Sequence, residues 1–129
     1  MITEDYVSFE TAKLLKEKGF DEETEHDMWY VVEKFSTGCH WNSCTYKVGD
    51  ITREYDEKCC IAMPTLQMAM KWLREVYKCL IVVGNKNGNY LYLIKDLKAN
   101  TDLGISNDEY IHYDEACEAA IKYCLENLI

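Results

Sequence analysis

Cys39, His40, Cys44, Cys59 and Cys60 are the side chains in this chain whose types could hold a metal ion or act as nucleophiles. A structural zinc site usually uses two compact pairs such as Cys-x2-Cys, so that both thiolates of a pair reach one tetrahedral ion. Here four residues separate Cys39 from Cys44, and Cys59 adjoins Cys60, a spacing that rarely chelates. Thiol catalysis needs a cysteine whose pKa is lowered by a base or a helix start, and a histidine oriented by a third group. His40 adjoins Cys39, but neighbours on a strand point to opposite faces. His112 precedes a predicted helix containing Cys117, yet that cysteine lies inside the helix on its buried side. Cys39, His40 and Cys44 therefore stand as the candidate metal or thiol set, with no catalytic residue and no cofactor expected. In the competing reading Cys44 and Cys60 are core residues and Cys39 sits in a turn.

Aromatic residues give the second signal, because Trp and Tyr are favoured at binding surfaces and Trp29, Tyr30, Trp41, Tyr46 and Tyr55 fall on or near one predicted hairpin. Trp41, Tyr46 and Tyr55 are the candidate partner-binding residues. Against this, Trp29 and Trp72 can belong to the core with Trp41 covering its edge. A strand edge there could also pair with a second copy. The carboxylates from Asp21 to Asp27 form a charge run, which is usually solvated, and no catalytic pair stands out by spacing. Gly84-Asn85-Lys86-Asn87-Gly88 lacks the phosphate-loop pattern and joins two strands, so it reads as a turn.

The elements that position these residues follow from local patterns. Ser8 caps a helix running to about Lys18, and Gly19-Phe20 has the form of a left-handed stop whose Phe20 reaches back to Leu15. Met28 to Phe35 reads as a strand, Thr37-Gly38 as a turn and Cys44 to Val48 as the returning strand. Pro64 suits the first position of a second helix, with apolar residues at Leu66, Ala69, Met70, Leu73, Val76 and Tyr77. Leu80 to Val83 and Tyr90 to Ile94 flank Asn87-Gly88, the strongest short-range hairpin signal. Asn100 to Asn107 is rich in turn formers and reads as a loop; a final helix runs from Tyr113 to about Leu128, with Asp114 and Glu115 in its first turn.

The order helix, hairpin, helix, hairpin, helix predicts an α+β two-layer fold, a mainly antiparallel sheet with helices packed on one face. Lys13-Leu14-Leu15-Lys16-Glu17 and Lys71-Trp72-Leu73-Arg74-Glu75 share a pattern, either as a faded duplication or as the chance recurrence of an amphipathic motif. With 129 residues, the chain is expected to form a single globular domain.

Composition narrows the function classes. There are 14 basic and 23 acidic side chains, a net charge of −9, which disfavours direct binding to nucleic acid or an anionic membrane. The start of the chain lacks a basic region followed by an apolar core, and no run approaches a membrane span, so a cytoplasmic location is expected. Seven cysteines without an export signal then imply reduced thiols.

Val7-Ser8-Phe9-Glu10 with Ala12 to Phe20, Pro64 to Glu75, Tyr113-Asp114-Glu115-Ala116 and Leu125 to Ile129 resemble uncharacterised small acidic proteins of gut Bacteroidales and their phages or mobile elements. The resemblance covers the three predicted helices and does not include the hairpin with Cys39, His40 and Cys44. It implies a bacterial or phage-borne origin and no particular reaction. The leading expectation is a small non-enzymatic interaction protein that acts through a protein surface on a protein partner or in a homodimer. The alternatives are a small thiol- or metal-dependent enzyme using Cys39, His40 and Cys44, and an acidic nucleic-acid mimic that inhibits a DNA- or RNA-binding protein.

Overall fold

The structure is a computed structural model that describes residues 4–20, 28–35, 38–45 and 60–129, as backbone alone at 28–35, 38–45 and 60. Its elements are α1 (Phe9–Glu17), β1 (Met28–Phe35), β2 (Gly38–Thr45), β3 (Cys60–Ala62), α2 (Leu66–Val76), β4 (Cys79–Lys86), β5 (Asn89–Asp96), β6 (Thr101–Ile105) and α3 (Tyr113–Tyr123), which widens into a π-helical turn over Cys124–Leu128. The fold is α+β, and all strand pairing is antiparallel among the described residues. Chain contacts group it into two compact units, Tyr6–Thr65 and Met1–Asp5 with Leu66–Ile129.

In the first unit, the Ser8 hydroxyl accepts a hydrogen bond from the Thr11 N–H at 3.3 Å, satisfying a donor that the first helical turn leaves open. The helix stops as its sequence dictates. Gly19 takes φ +99°, the Phe20 N–H donates to the Leu15 carbonyl at 2.9 Å, and Phe20 is buried. Three strands lie in the order β2-β1-β3. The returning strand occupies Gly38–Thr45 rather than Cys44 to Val48, and the part of that reading beyond Thr45 lies outside the described residues. Asn42 and Ser43 pair with Val31 and Tyr30, so the ladder runs straight through them.

Pro64 does not open α2. Its carbonyl accepts from the Val7 N–H at 3.0 Å and Thr65 bridges to Tyr6, which holds 64–65 extended, a conformation that proline readily adopts. Within the second unit, the Leu66 N–H donates to the Asp5 carbonyl at 2.9 Å, and the helix begins there. Its buried stripe is Leu66, Ala69, Met70, Trp72 and Leu73. Val76 and Tyr77, expected on that stripe, are exposed, because the helix ends at Val76 and Lys78 turns left-handed at φ 58°.

The second sheet has the order β4-β5-β6, with α2 and α3 packed against it. Its third strand lies where Asn100 to Asn107 read as a loop. Gly104 belongs to β6, and a Cβ placed there would come within 2.8 Å of the Tyr123 ring; the glycine permits close approach of strand to helix. On α3, Ala116, Cys117, Ala120, Ile121, Cys124 and Leu125 are buried, as the helical pattern predicts. Where the helix widens, the Asn127 side-chain amide donates to the Tyr123 carbonyl at 3.3 Å.

Candidate functional site

The β4–β5 hairpin is set by its two-residue loop. Asn87 and Gly88 take φ values of 54° and 88°, the positive pair that a tight hairpin turn requires, and the Gly88 N–H donates to the Asn85 side-chain oxygen at 3.2 Å. The turn fixes an unbroken register from Cys79↔Asp96 to Lys86↔Asn89. Because side chains alternate across a strand, that register also assigns every residue of the hairpin to a face.

One face carries Ile81, Val83, Tyr92 and Ile94 and meets α3, as the Tyr92 and Tyr123 rings, 6.4 Å apart, and the close approach of Gly104 to Tyr123 show. Ile94 is fully buried there. A tyrosine cluster continues this face. Tyr110 stacks on Tyr92 with ring centroids 6.4 Å apart, and Tyr90 meets Tyr113 edge-on at 5.8 Å. Past the end of β6, Ser106 extends the ladder by taking both backbone groups of Tyr92: its N–H donates to the Tyr92 carbonyl at 2.9 Å and its hydroxyl accepts from the Tyr92 N–H at 3.1 Å. Tyr90 and Tyr110 then exchange backbone hydrogen bonds of 2.7 and 2.9 Å.

The same face holds the buried thiols. Cys79 and Cys124 hydrogen-bond to one another, and Cys79 donates onward to the Tyr77 carbonyl at 3.7 Å. Burial pushes the Cys124 thiol up to about 12, and it raises Cys79 and Cys117 as well. A raised pKa keeps a thiol protonated, which is the wrong direction for a nucleophile. These three cysteines act as small packing residues.

The other face of the sheet carries Leu80 and Val82 from β4, Leu91 and Leu93 from β5, and Ile105 from β6, in the register Val82↔Leu93↔Ile105. Neither α2 nor α3 lies on this face. Val82 is 42% exposed and Ile105 65%, while Leu80, Leu91 and Leu93 are half-buried. Gly84, opposite Leu91, leaves open space beside them. Strands that are apolar at both parities normally have both faces covered. Here the helices of the unit cover one.

The residues singled out from sequence are placed differently. Cys39, His40 and Cys44 all lie on β2, paired with Lys34, Glu33 and Trp29, so the strand alternation sets Cys39 on the face opposite His40 and Cys44. Trp41, which falls between the expected turn at Thr37-Gly38 and the expected returning strand from Cys44, is a strand residue paired with Val32. Tyr46 and Tyr55 lie outside the described residues. Among the described residues, no three His, Cys, Asp or Glu side chains are arranged to hold a metal ion. None of their helices is long and apolar enough to cross a membrane.

The exposed surface on the second sheet was not singled out from sequence. Its signal was the unbroken run Leu80-Ile81-Val82-Val83 facing Leu91-Tyr92-Leu93-Ile94, apolar on both sides where one helix layer can cover only one. No family model, curated protein or solved structure matches the chain.

Proposed function

We propose that this is a small non-enzymatic interaction protein of a bacterium or its phage, acting through the face of the β4-β5-β6 sheet that α2 and α3 leave open. The observation that carries this reading is the Val82↔Leu93↔Ile105 row, aligned across three strands with its outer two members exposed. Contiguous exposed apolar surface on a folded domain is the kind of feature that marks interaction sites. The buried, protonated thiols of Cys79, Cys117 and Cys124 support a binding role over thiol chemistry in this unit.

The test compares the wild-type protein with the double variant Val82→Glu/Ile105→Glu, after thermal melting has shown that both are folded. Tagged protein is used to capture partners from a bacterial lysate under reducing conditions, and the intact complexes are weighed. The expected result is a stoichiometric complex formed by the wild type and lost in the variant. Retention of the same partner by the variant would remove this surface from the reading. Running Trp41→Ala/Tyr46→Ala in parallel tells whether the first hairpin carries binding instead.

A further inference from the structure

The interaction reading leaves the partner unspecified, and the following inference rests on it. The two edges of the second sheet are protected differently. β6 is five residues long, its register is shifted by a bulge between Ile94 and Lys95, and beyond it Ser106 and the Tyr90↔Tyr110 bridge occupy the flank of β5. β4 pairs in unbroken register with β5 over eight residues, and no described residue pairs with its outer side. It contains no proline and no bulge, and the one charge it carries is Lys86 at its end, so its centre from Cys79 to Asn85 has neither a break in the ladder nor a charge to turn another strand away.

Charge narrows the choice of strand. Between Glu75 and Asp102 lie four lysines, Lys78, Lys86, Lys95 and Lys98, against one acid, Asp96, a local excess of +3 within a chain of net charge −9. Lys78 and Lys86 stand at the two ends of β4, both exposed, and the Lys78 ammonium donates to the Glu75 carbonyl at 3.0 Å. Lys86 and Lys95 fall on the same face as Val82 and Leu93. In the register centred on the exposed Val82, a second copy of the chain fits poorly. Two β4 strands paired antiparallel about Val82 would set Lys78 opposite Lys86 at both ends, a like-charge pair each time.

We propose that the outer edge of β4 receives an extended peptide segment with an apolar centre and acidic ends. Its backbone adds a strand to the sheet, its apolar side chains extend the face of Leu80 and Val82, and its carboxylates meet Lys78 and Lys86. Main-chain pairing supplies the affinity and the end charges supply the selection.

The probes are two fluorescent peptides of alternating valine and threonine, one ended by glutamates and its twin by lysines, titrated into the full chain by anisotropy. Their binding to Lys78→Glu/Lys86→Glu is measured alongside. The glutamate-ended peptide is expected to bind at least about 10-fold more tightly than its twin, to weaken with salt, and to lose its advantage in the double variant. Equal binding of the two peptides, or unchanged binding by the variant, overturns the proposal. So does a concentration-dependent dimer in sedimentation that Val82→Glu abolishes, because the occupant is then a second copy. If neither peptide binds, the strand proposal fails, while the interaction reading is still decided by partner capture with Val82→Glu/Ile105→Glu.

Discussion

The two faces of the β4-β5-β6 sheet are made by the same strands and the same kinds of side chain, but they have different surroundings. Ile94 and Val82 show the contrast. Ile94 lies under the helix layer with no exposed surface, whereas Val82, one strand away on the opposite face, is 42% exposed. Apolar pattern alone therefore states what a face could bury, and the number of helices decides what it does bury. With α2 and α3 on one side, Val82 and Ile105 on the other stay exposed.

Breaking each face separately sharpens the contrast. Ile94→Ala should cost about 2–5 kcal/mol, as buried large-to-small changes do, and Val82→Ala no more than about 0.5 kcal/mol, as at an ordinary surface position, both read from urea unfolding midpoints. Equal losses would mean that the uncovered face is part of the core. Gly104→Ala tests the helix face from the other direction, since a methyl group there meets the Tyr123 ring at 2.8 Å and that ring already packs on Tyr92. A destabilisation of about 1–3 kcal/mol is expected, measured in the same way, with a partial rescue when Tyr123 is shortened to leucine.

A further effect on that face concerns Cys124, is absent at neutral pH and appears only in base. Its thiol titrates at about 12 in the folded protein against an ordinary value of 9.0, so below pH 9 both states are protonated and stability is complete. Above pH 9 the unfolded chain ionises first. Stability should then fall as the pH rises towards about 12, and Cys124→Ala should flatten that fall in denaturation curves taken across this range. The same thiol should resist alkylation at neutral pH until the protein is unfolded.

Much of the architecture was readable because local signals decided it. Ser8, Gly19-Phe20 and Asn87-Gly88 act within a few residues of themselves, and each holds where its pattern placed it. The misses at Pro64, 101–105 and Trp41 depended on partners farther off in the chain. Pro64 is extended because Val7 donates to it, and 101–105 is a strand because β5 supplies a ladder and Tyr123 needs the space at Gly104. Trp41 is on a strand because β1 pairs straight past Asn42. The two sheets also place their third strands differently: β3 lies beside the first strand of its hairpin and β6 beside the second. The matching helix motifs therefore precede different strand orders.

The candidate site was harder to read than the fold. Cysteine, histidine and tryptophan drew attention to the first hairpin because their chemistry is distinctive. Valine, leucine and isoleucine carry no such mark, and whether Val82 is core or surface depends on which face α3 takes. That choice is made by side chains many residues away, including Gly104, Tyr123 and Cys124.

The Asn87-Gly88 turn also has a consequence for the order in which the molecule assembles. A two-residue loop lets β4 and β5 meet early, on the microsecond scale typical of hairpins, whereas α3 follows them in the chain by way of β6 and the Ser106 segment. During synthesis the hairpin therefore emerges from the ribosome after α2 but before α3, with its helix-facing side only part covered. It must wait for later residues to complete the helix layer, and in that interval its apolar surface is open to wrong contacts.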